Sequence, residues 1–529
     1  MALGNNLEDD DLHRGRNAQE ELELKFLAPA DTLDRVRASP PLARHARNNG
    51  TVRHLEAVYY DTADRTLFGH GLSLRVRRSG LQFVQTLKRA TSRGGPFARN
   101  EWENTVDGMS PDFSVLPLDE IGAPLGDLAP TALDPVFATK VQRRTQQLDL
   151  PGAVVEVAFD DGLISSGARS EPLSELELEV KAGNARALYD LGLQLLDVAP
   201  LRIGTRSKAD RGYCLAFGDL PRPTKAAVPD VTTECTVDDV VGLLLGSCQQ
   251  HMLANQAAAE AGIDPEGVHQ MRVALRRMRT VAALLHQQLG LPSLESLSAE
   301  AKWLGTLLGA AREWDVFLTE TLGAPSAVVA GDAIDFAGLR NAAQLHRDAA
   351  YAALREALGD VRYSRFQLSM LHWIQSKAWR NELRSAPLAV LLEPAGDFGA
   401  RTLAKLHRKA LKRGAHFRHL PPDRRHKVRI ALKNLRYATE FFRDAQPAEA
   451  GWKDYLRGVE DLQEALGHDN DASMTAPLLS MLAQDEPSAG VSGAIGAVMG
   501  WQARGRLAEG KRLRRQWRRF KTATTPWSS

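Results

Sequence analysis

The segment "SELELEV" carries Glu175, Glu177 and Glu179 at every second position, and "ELELKF" carries Glu21, Glu23 and Lys25 the same way. Alternate side chains of a β-strand point to opposite faces. Each segment therefore lays a row of charge along one side of a strand and Leu or Val along the other. The same alternation recurs between them. "LSLRVRR" aligns Arg75 and Arg77 opposite Leu74 and Val76, "VQTLK" ends at Lys88, "RNEWEN" aligns Arg99, Glu101 and Glu103, and "VVEVAFDDG" aligns Glu156 and Asp160. "RSKADRGY", read as one more such segment, adds Lys208 and Arg211.

Any one of these strands reads equally well as half exposed, with its charges in water. The set reads differently, because most strands carry one dominant sign. If the sheet closes into a barrel, the charged faces can point inward. Buried carboxylates without partners cost several kcal/mol each, so an acidic wall calls for a divalent cation. Hard oxygen ligands favour Mg²⁺ or Mn²⁺. Arg and Lys on facing walls would bind phosphate oxygens, Arg in bidentate fashion.

The chain has 529 residues, too many for one core. Its 67 basic and 65 acidic residues are unevenly spread: residues 1–220 hold 26 and 32, which leaves 41 and 33 for the rest. The first part is net acidic and the second net basic, so the two are expected to meet anions differently, the first through metal and the second directly. Residues 1–17 read as a polar lead without the apolar core of a signal peptide, 218–234 ("GDLPRPTKAAVPDVTTE") as a linker, and everything after about 235 as helical. An α+β domain over 18–217 followed by an all-α domain over 235–522 is the expected architecture. No apolar run approaches the roughly 20 residues of a membrane span. Three scattered cysteines suggest a reducing compartment, and the protein is expected to be cytoplasmic.

The helical half repeats itself. His269, Arg272, Arg276 and Arg279 align with His426, Arg429, Lys433 and Arg436 at one constant offset of 157 residues, and "LGAAREWD" from Leu308 aligns with "LGHDNDA" from Leu466 at 158. Two related bundles, about 235–390 and 391–522, account for both. Pro265 and Pro422 mark expected helix starts, with Asp264 and Asp423 as capping candidates. Positions i, i+3, i+7 and i+10 of a helix fall within about 80°, so each quartet forms a basic stripe. Asp315 and Asp471, near the "LG" segments, are candidates for orienting those arginines or for capping helices.

"ELELK" fits the ExExK signature, and "YYDT" (59–62), "LRVRR", "QTLK", the Arg143 strand, "AFDDG", "SELELEV" and "SKADRGY" follow in order. This half resembles the CYTH, or triphosphate tunnel metalloenzyme, superfamily. The resemblance implies an eight-stranded antiparallel barrel around a tunnel. It also implies Glu21, Glu23, Asp160, Glu177 and Glu179 as metal ligands, with Lys25, Arg75, Arg77, Lys88, Arg143, Lys208 and Arg211 on the phosphates. Glu175 shares the acidic face as a supporting residue, and Asp161, Arg144 and Arg78 are neighbours expected to stand outside the site. Lys88 and Glu103 are the expected catalytic pair, with Glu101 the competing base and orientation of arginines the competing role for both carboxylates.

The second half, over 236–522, resembles the CHAD domain, an α-helical domain built from two four-helix bundles. That resemblance implies binding of inorganic polyphosphate along the two stripes. Nucleic acid is not expected, because no aromatic series is interleaved with the basic residues. The chain as a whole reads as a Mg²⁺- or Mn²⁺-dependent inorganic triphosphatase acting on tripolyphosphate, with a polyphosphate-binding helical domain that could place it at polyphosphate granules. A non-catalytic polyphosphate-binding protein and a CYTH-type adenylyl cyclase are the alternatives.

Overall fold

The computed structural model describes residues 19–90, 98–122, 125–128, 132–329, 331, 334–446 and 451–527, except for the side chains of 19–21, 90, 98, 127, 468–474, 506–509 and 511. The expected lead, 1–17, lies outside the described residues, as does the side chain of Glu21. The chain divides into two compact units, one running to Pro221 and including Gly359–His372, the other comprising Arg222–Leu358 and Trp373–Ser529. The division falls inside the segment expected as a linker, and the rest of that segment belongs to the second unit. Thr224 N–H donates to Asn255 Oδ1 at 2.9 Å, Asn255 Nδ2 donates back to the Thr224 carbonyl at 2.9 Å, and Val231 is buried.

The first unit is an antiparallel barrel. Its strands are β1 (Gln19–Leu27), β2 (Thr51–Asp61), β3 (Leu72–Ser79), β4 (Gln82–Ala90), β5 (Ala98–Val106), β6 (Asp134–Leu150), β7 (Ala153–Ser166), β8 (Arg169–Gly183) and the two-residue β9 (Arg202–Ile203). The order β5-β4-β3-β2-β6-β7-β8-β1 closes on itself through a β5–β1 pairing, and β9 adds to β1. Alternation then sorts the residues. Leu24 and Phe26 of β1 face outward against helix α1 (Arg186–Val198), where a Cβ on Gly192 would stand only 3.0 Å from Leu24. Leu72, Leu74, Val76, Leu87 and Trp102 form a second outer core with Phe113, Leu116, Ile121 and Leu125. Glu23, Lys25, Arg75, Arg77, Glu177 and Glu179 are left on the lumen side.

Helix α2 (Lys208–Phe217) starts at a reciprocal capping box: Ser207 Oγ accepts from Asp210 N–H, and the Asp210 carboxylate accepts from Ser207 N–H. Lys208 and Arg211, expected on a strand, are therefore helical. The Pro-free run "KADRGYCLAF" behind a Ser-x-x-Asp cap is a helix-start signal that outweighs the charge alternation. Ala209 and Tyr213 pack against Ala57, Tyr59, Phe137, Val141, Ile164 and Leu173. Gly212 is required there, because a Cβ would stand 2.1 Å from the Phe137 ring.

The second unit is helical: α3 (Val237–Ala261), α4 (Pro265–Leu289), α5 (Ser293–Val316), α6 (Phe336–Gly359), α7 (Ala395–Arg413), α8 (Pro422–Phe442), α9 (Trp452–Asp485) and α10 (Ala489–Lys521), with shorter turns between. Helices α4 and α8 begin at Pro265 and Pro422, the same 157-residue offset as the stripes. Asp264 caps α4 by accepting from Glu266 N–H at 2.8 Å. Asp423 lies inside the first turn of α8 and makes no cap bond; Pro421 holds the cap position. No helix among the described residues is long and apolar enough to cross a membrane. Cys214, Cys235 and Cys248 are free thiols.

Candidate functional site

The barrel lumen holds a cavity of about 420 Å³ whose walls divide by charge. One wall comes from β1, β7 and β8. Glu23 stands opposite Glu179, and Glu179 opposite Glu156, so three carboxylates occupy one rung across three neighbouring strands. The next rung pairs Lys25 with Glu177, and the one after it pairs Glu175 with Asp160 and Asp160 with Arg143. The other wall comes from β3, β4 and β5, with Arg75, Arg77, Lys88, Arg99, Glu101 and Glu103 on the lining. Of the residues expected outside the site, Arg78 reaches Glu56 at 2.8 Å on an exposed face and Asp161 is exposed. Arg144 donates to Gln142 at 3.1 Å.

The deepest part of the acidic wall is charge-balanced by the protein itself. Carboxylate oxygens of Asp160, Glu175 and Glu177 lie within 4.8 Å of one another. Lys25 Nζ stands 2.9 Å from Glu175 and 2.8 Å from Glu177. Lys208 Nζ stands 2.8 Å from Asp160 and 2.7 Å from Glu177, and also contacts Glu175. Arg143 grips Asp160 with two bonds of 2.7 and 2.6 Å and contacts Glu177. Burial alone would favour the neutral forms. The three cations outweigh it and hold Glu177 well below the usual carboxylate range, while the carboxylates raise Lys25 and Lys208 above the ordinary amine value. Arg211 stands at the edge of this group, 3.7 Å from Glu175, and donates to Glu171 at 2.8 Å and to the Pro172 carbonyl at 2.6 Å.

The basic wall is less completely compensated. Arg75 beside it, followed by burial, pushes Arg77 down to about 10, even though Glu103 lies 3.3 Å away. The Nε of Arg75 is buried without a hydrogen-bond partner, and its terminal nitrogen is 3.4 Å from the Tyr59 hydroxyl. Burial raises the Glu103 carboxyl, but Arg77, Arg75 and a 3.0 Å bond from Thr86 outweigh it and keep Glu103 ionised. Lys88 and Glu101 pair at 3.2 Å. Crowded guanidinium groups with an unmet donor make a receptor for an anion. Sequence reasoning left out Arg99 and Glu156, although both stood in the alternating rows. It also left out Tyr59, Ser73, Thr86 and Ser207, whose hydroxyls line the cavity and which carry no charge pattern.

In the second unit the two stripes meet. Helices α4 and α8 are joined by Arg277, which pairs with Glu440 at 3.4 Å and lies over the Phe441 ring, and by Thr280, which donates to Asn434 at 3.2 Å. Burial and the surrounding Arg276, Arg429, Arg272 and Arg436 push Lys433 down to about 6. Burial and then Arg312 push His269 down to about 4. Arg312, on α5, is a cation of this cluster that the stripes did not reveal. The "LG" segments now have a role: a Cβ on Gly309 would stand 2.8 Å from the Arg272 guanidinium, and one on Gly467 would stand 3.6 Å from that of Arg429. Arg436 pairs with Glu440 at 3.3 Å, and Arg279 is exposed. Asp315 is fully buried, but holds Arg347 at 2.8 Å and the Tyr351 hydroxyl at 2.9 Å instead of a stripe residue. The side chain of Asp471 lies outside the described residues.

The chain thus joins a closed antiparallel barrel with opposed acidic and basic inner walls to a helical unit with a half-buried cationic cluster between two repeats. Residues 19–213 match the CYTH domain and residues 243–480 match the CHAD domain, so the chain belongs to the proteins that join a CYTH domain to a CHAD domain. It is similar to an inorganic triphosphatase of Haemophilus influenzae, 31% identical over 170 residues, covering 30% of this chain and 45% of that protein. It is also similar to an uncharacterized protein of Mycobacterium tuberculosis, 25% identical over 283 residues, covering 50% of this chain and 52% of that protein. The chain therefore spans about half the length of the curated relatives it matches. Among solved structures, the CHAD domain of Ricinus communis matches at 29% identity and a TM-score of 0.50, covering 58% of this chain and 98% of that one.

Proposed function

We propose that the barrel hydrolyses a phosphoanhydride bond of inorganic triphosphate, and that the helical unit holds inorganic polyphosphate. The observation that carries the reading is the lumen itself, where Arg75, Arg77 and Lys88 face a wall of carboxylates across one cavity. Similarity of the barrel region to an inorganic triphosphatase supports it. The donor set suits a hard divalent cation, Mg²⁺ or Mn²⁺. Glu23, Glu156 and Glu179 would hold it. Their carboxylates share a rung that faces the lumen, with Lys181 at 2.5 Å from Glu179 and 3.9 Å from Glu156. When bound, such an ion neutralises phosphate charge and acidifies a water.

The remaining steps belong to the chain. Arg75 and Arg77 bind the non-bridging oxygens, and Lys88 stabilises the charge that grows as the bond to the leaving phosphate breaks. Glu103, ionised and fixed by Arg77 and Thr86, orients the attacking water and its partner arginine together. In the helical unit Arg272, Arg276, Arg312, Arg429 and Lys433 contact successive phosphates of a chain, with His269, Arg279, His426 and Arg436 flanking them.

Phosphate release from tripolyphosphate with Mg²⁺ or Mn²⁺ tests the enzyme reading. Hydrolysis by the wild type that falls at least a hundredfold in Glu179→Gln, and vanishes with a chelator, is the expected result. Binding of tripolyphosphate without release of phosphate would leave a capture protein instead. Polyphosphate affinity in Arg276→Glu/Lys433→Glu tests the helical unit separately; unchanged affinity at moderate salt would remove that part of the reading.

A further inference from the structure

Three carboxylates within 4.8 Å of one another are the usual sign of a metal site, and Asp160 and Glu177 were expected to be ligands. The surroundings argue otherwise. Every carboxylate of this group is contacted by at least two of three protein cations, Lys25, Lys208 and Arg143. Three negative charges meet three positive ones in a buried setting. A divalent ion entering here would have to displace ammonium groups already at 2.7–2.9 Å from the oxygens. Those groups would then lose their partners and leave buried ammonium charge uncompensated.

Glu175 shares both lysines with Glu177, whose Oε1 stands 2.8 Å from Lys25 and 2.7 Å from Lys208. Glu175 is fully buried. One of its oxygens, Oε1, contacts both Lys25 and Lys208, while Oε2 makes no hydrogen bond and has Arg211 at 3.7 Å. A single oxygen thus ties an ammonium from β1 to an ammonium from the start of α2, and both line the cavity.

Building on the triphosphatase reading, we infer that Asp160, Glu175 and Glu177 form a cation-filled floor that takes no metal ion, and that Glu175 is a positioning residue which sets Lys25 and Lys208 against the substrate. The divalent cation is then confined to the shallower Glu23–Glu156–Glu179 rung, where three carboxylates meet the half-exposed Lys181 and, at 3.6 Å, a Lys25 already shared with the floor. Glu175 acts through the two lysines and touches neither the metal nor the phosphates.

The test uses the full chain and Mn²⁺ as probe, read by electron paramagnetic resonance, beside steady-state hydrolysis of tripolyphosphate. Glu175→Gln should leave the Mn²⁺ dissociation constant within about twofold and raise KM at least tenfold, because the two ammonium groups then share only the Glu177 carboxylate and shift from their places. Glu156→Gln should weaken Mn²⁺ at least tenfold. Combining Glu175→Gln with Lys208→Met should cost less than the product of the single effects, since removing both leaves the floor neutral; a merely structural role would give multiplied losses. A tenfold loss of Mn²⁺ binding in Glu175→Gln, or an unchanged KM, overturns the inference. Should the variant not fold, Mn²⁺ anomalous scattering from wild-type crystals decides the matter. A peak beside Glu179 with none in contact with Glu175 supports the inference, and a peak on Glu175 ends it. Absence of both Mn²⁺ binding and hydrolysis in the wild type would instead strike the triphosphatase reading itself.

Discussion

The Tyr213 hydroxyl donates a 2.7 Å hydrogen bond to Oδ2 of Asp61, joining helix α2 to the end of β2. Asp61 is fully buried and also accepts from the backbone N–H groups of Thr62, Leu67 and Phe68. Its carboxylate therefore closes the turn that follows β2 and anchors the helix that carries Lys208. Two of the motifs that carry the CYTH resemblance, "YYDT" and "SKADRGY", are linked by a bond whose work is structural.

Tyr213→Phe should lower unfolding stability by about 1–3 kcal/mol, the cost of leaving a buried acceptor short of a donor, and should lower activity only as far as Lys208 moves. Chemical denaturation and kinetics on the same preparation check this; a large loss of kcat with unchanged stability would contradict it.

Arg75→Lys should reduce kcat/KM for tripolyphosphate by about tenfold to a hundredfold, roughly 1.4–2.7 kcal/mol of transition-state stabilisation. The substitution keeps the charge but removes the planar fork whose Nε lacks a protein partner. Equal activity in the lysine variant would mean that only charge matters at this position.

Gly309→Ala should weaken polyphosphate binding several-fold with little change in melting temperature. The new Cβ meets only the tip of the Arg272 side chain, which can turn aside without disturbing the backbone, so the guanidinium moves while the fold remains. Isothermal titration and thermal melting, read together, separate the two effects.

Polyphosphate affinity should rise as pH falls from 8 to 5.5. Lys433, pushed down to about 6 by burial and its arginine neighbours, is largely neutral at pH 8 and gains its charge on acidification. A polyanion prefers the charged form, so binding itself draws a proton onto the amine and the apparent midpoint lies above 6. Affinities at constant ionic strength should show this slope in the wild type and a flatter one in Lys433→Met.

Much of this was legible in order along the chain. Alternation at Glu21–Lys25, Arg75–Arg77 and Glu175–Glu179 announces strands with one charged face, because a period of two is a local property of extended backbone. The 157-residue offset between the stripes, with Pro265 and Pro422 at the starts of α4 and α8, announces a duplicated helical unit for the same local reason. Partnership is another matter. Alternation places Asp160 and Glu177 on the lumen face but cannot say that Arg143 and Lys208 occupy their oxygens, or that Glu156 shares a rung with Glu23 and Glu179. Those facts depend on strand pairing and register, which bring together residues as far apart in the chain as Glu23 and Glu179. The approach of Arg272 to Gly309 and the meeting of the two stripes are likewise decided by packing, since each depends on a neighbour that no local period encodes, whereas the helix Lys208–Phe217 is announced locally by its Ser207–Asp210 cap.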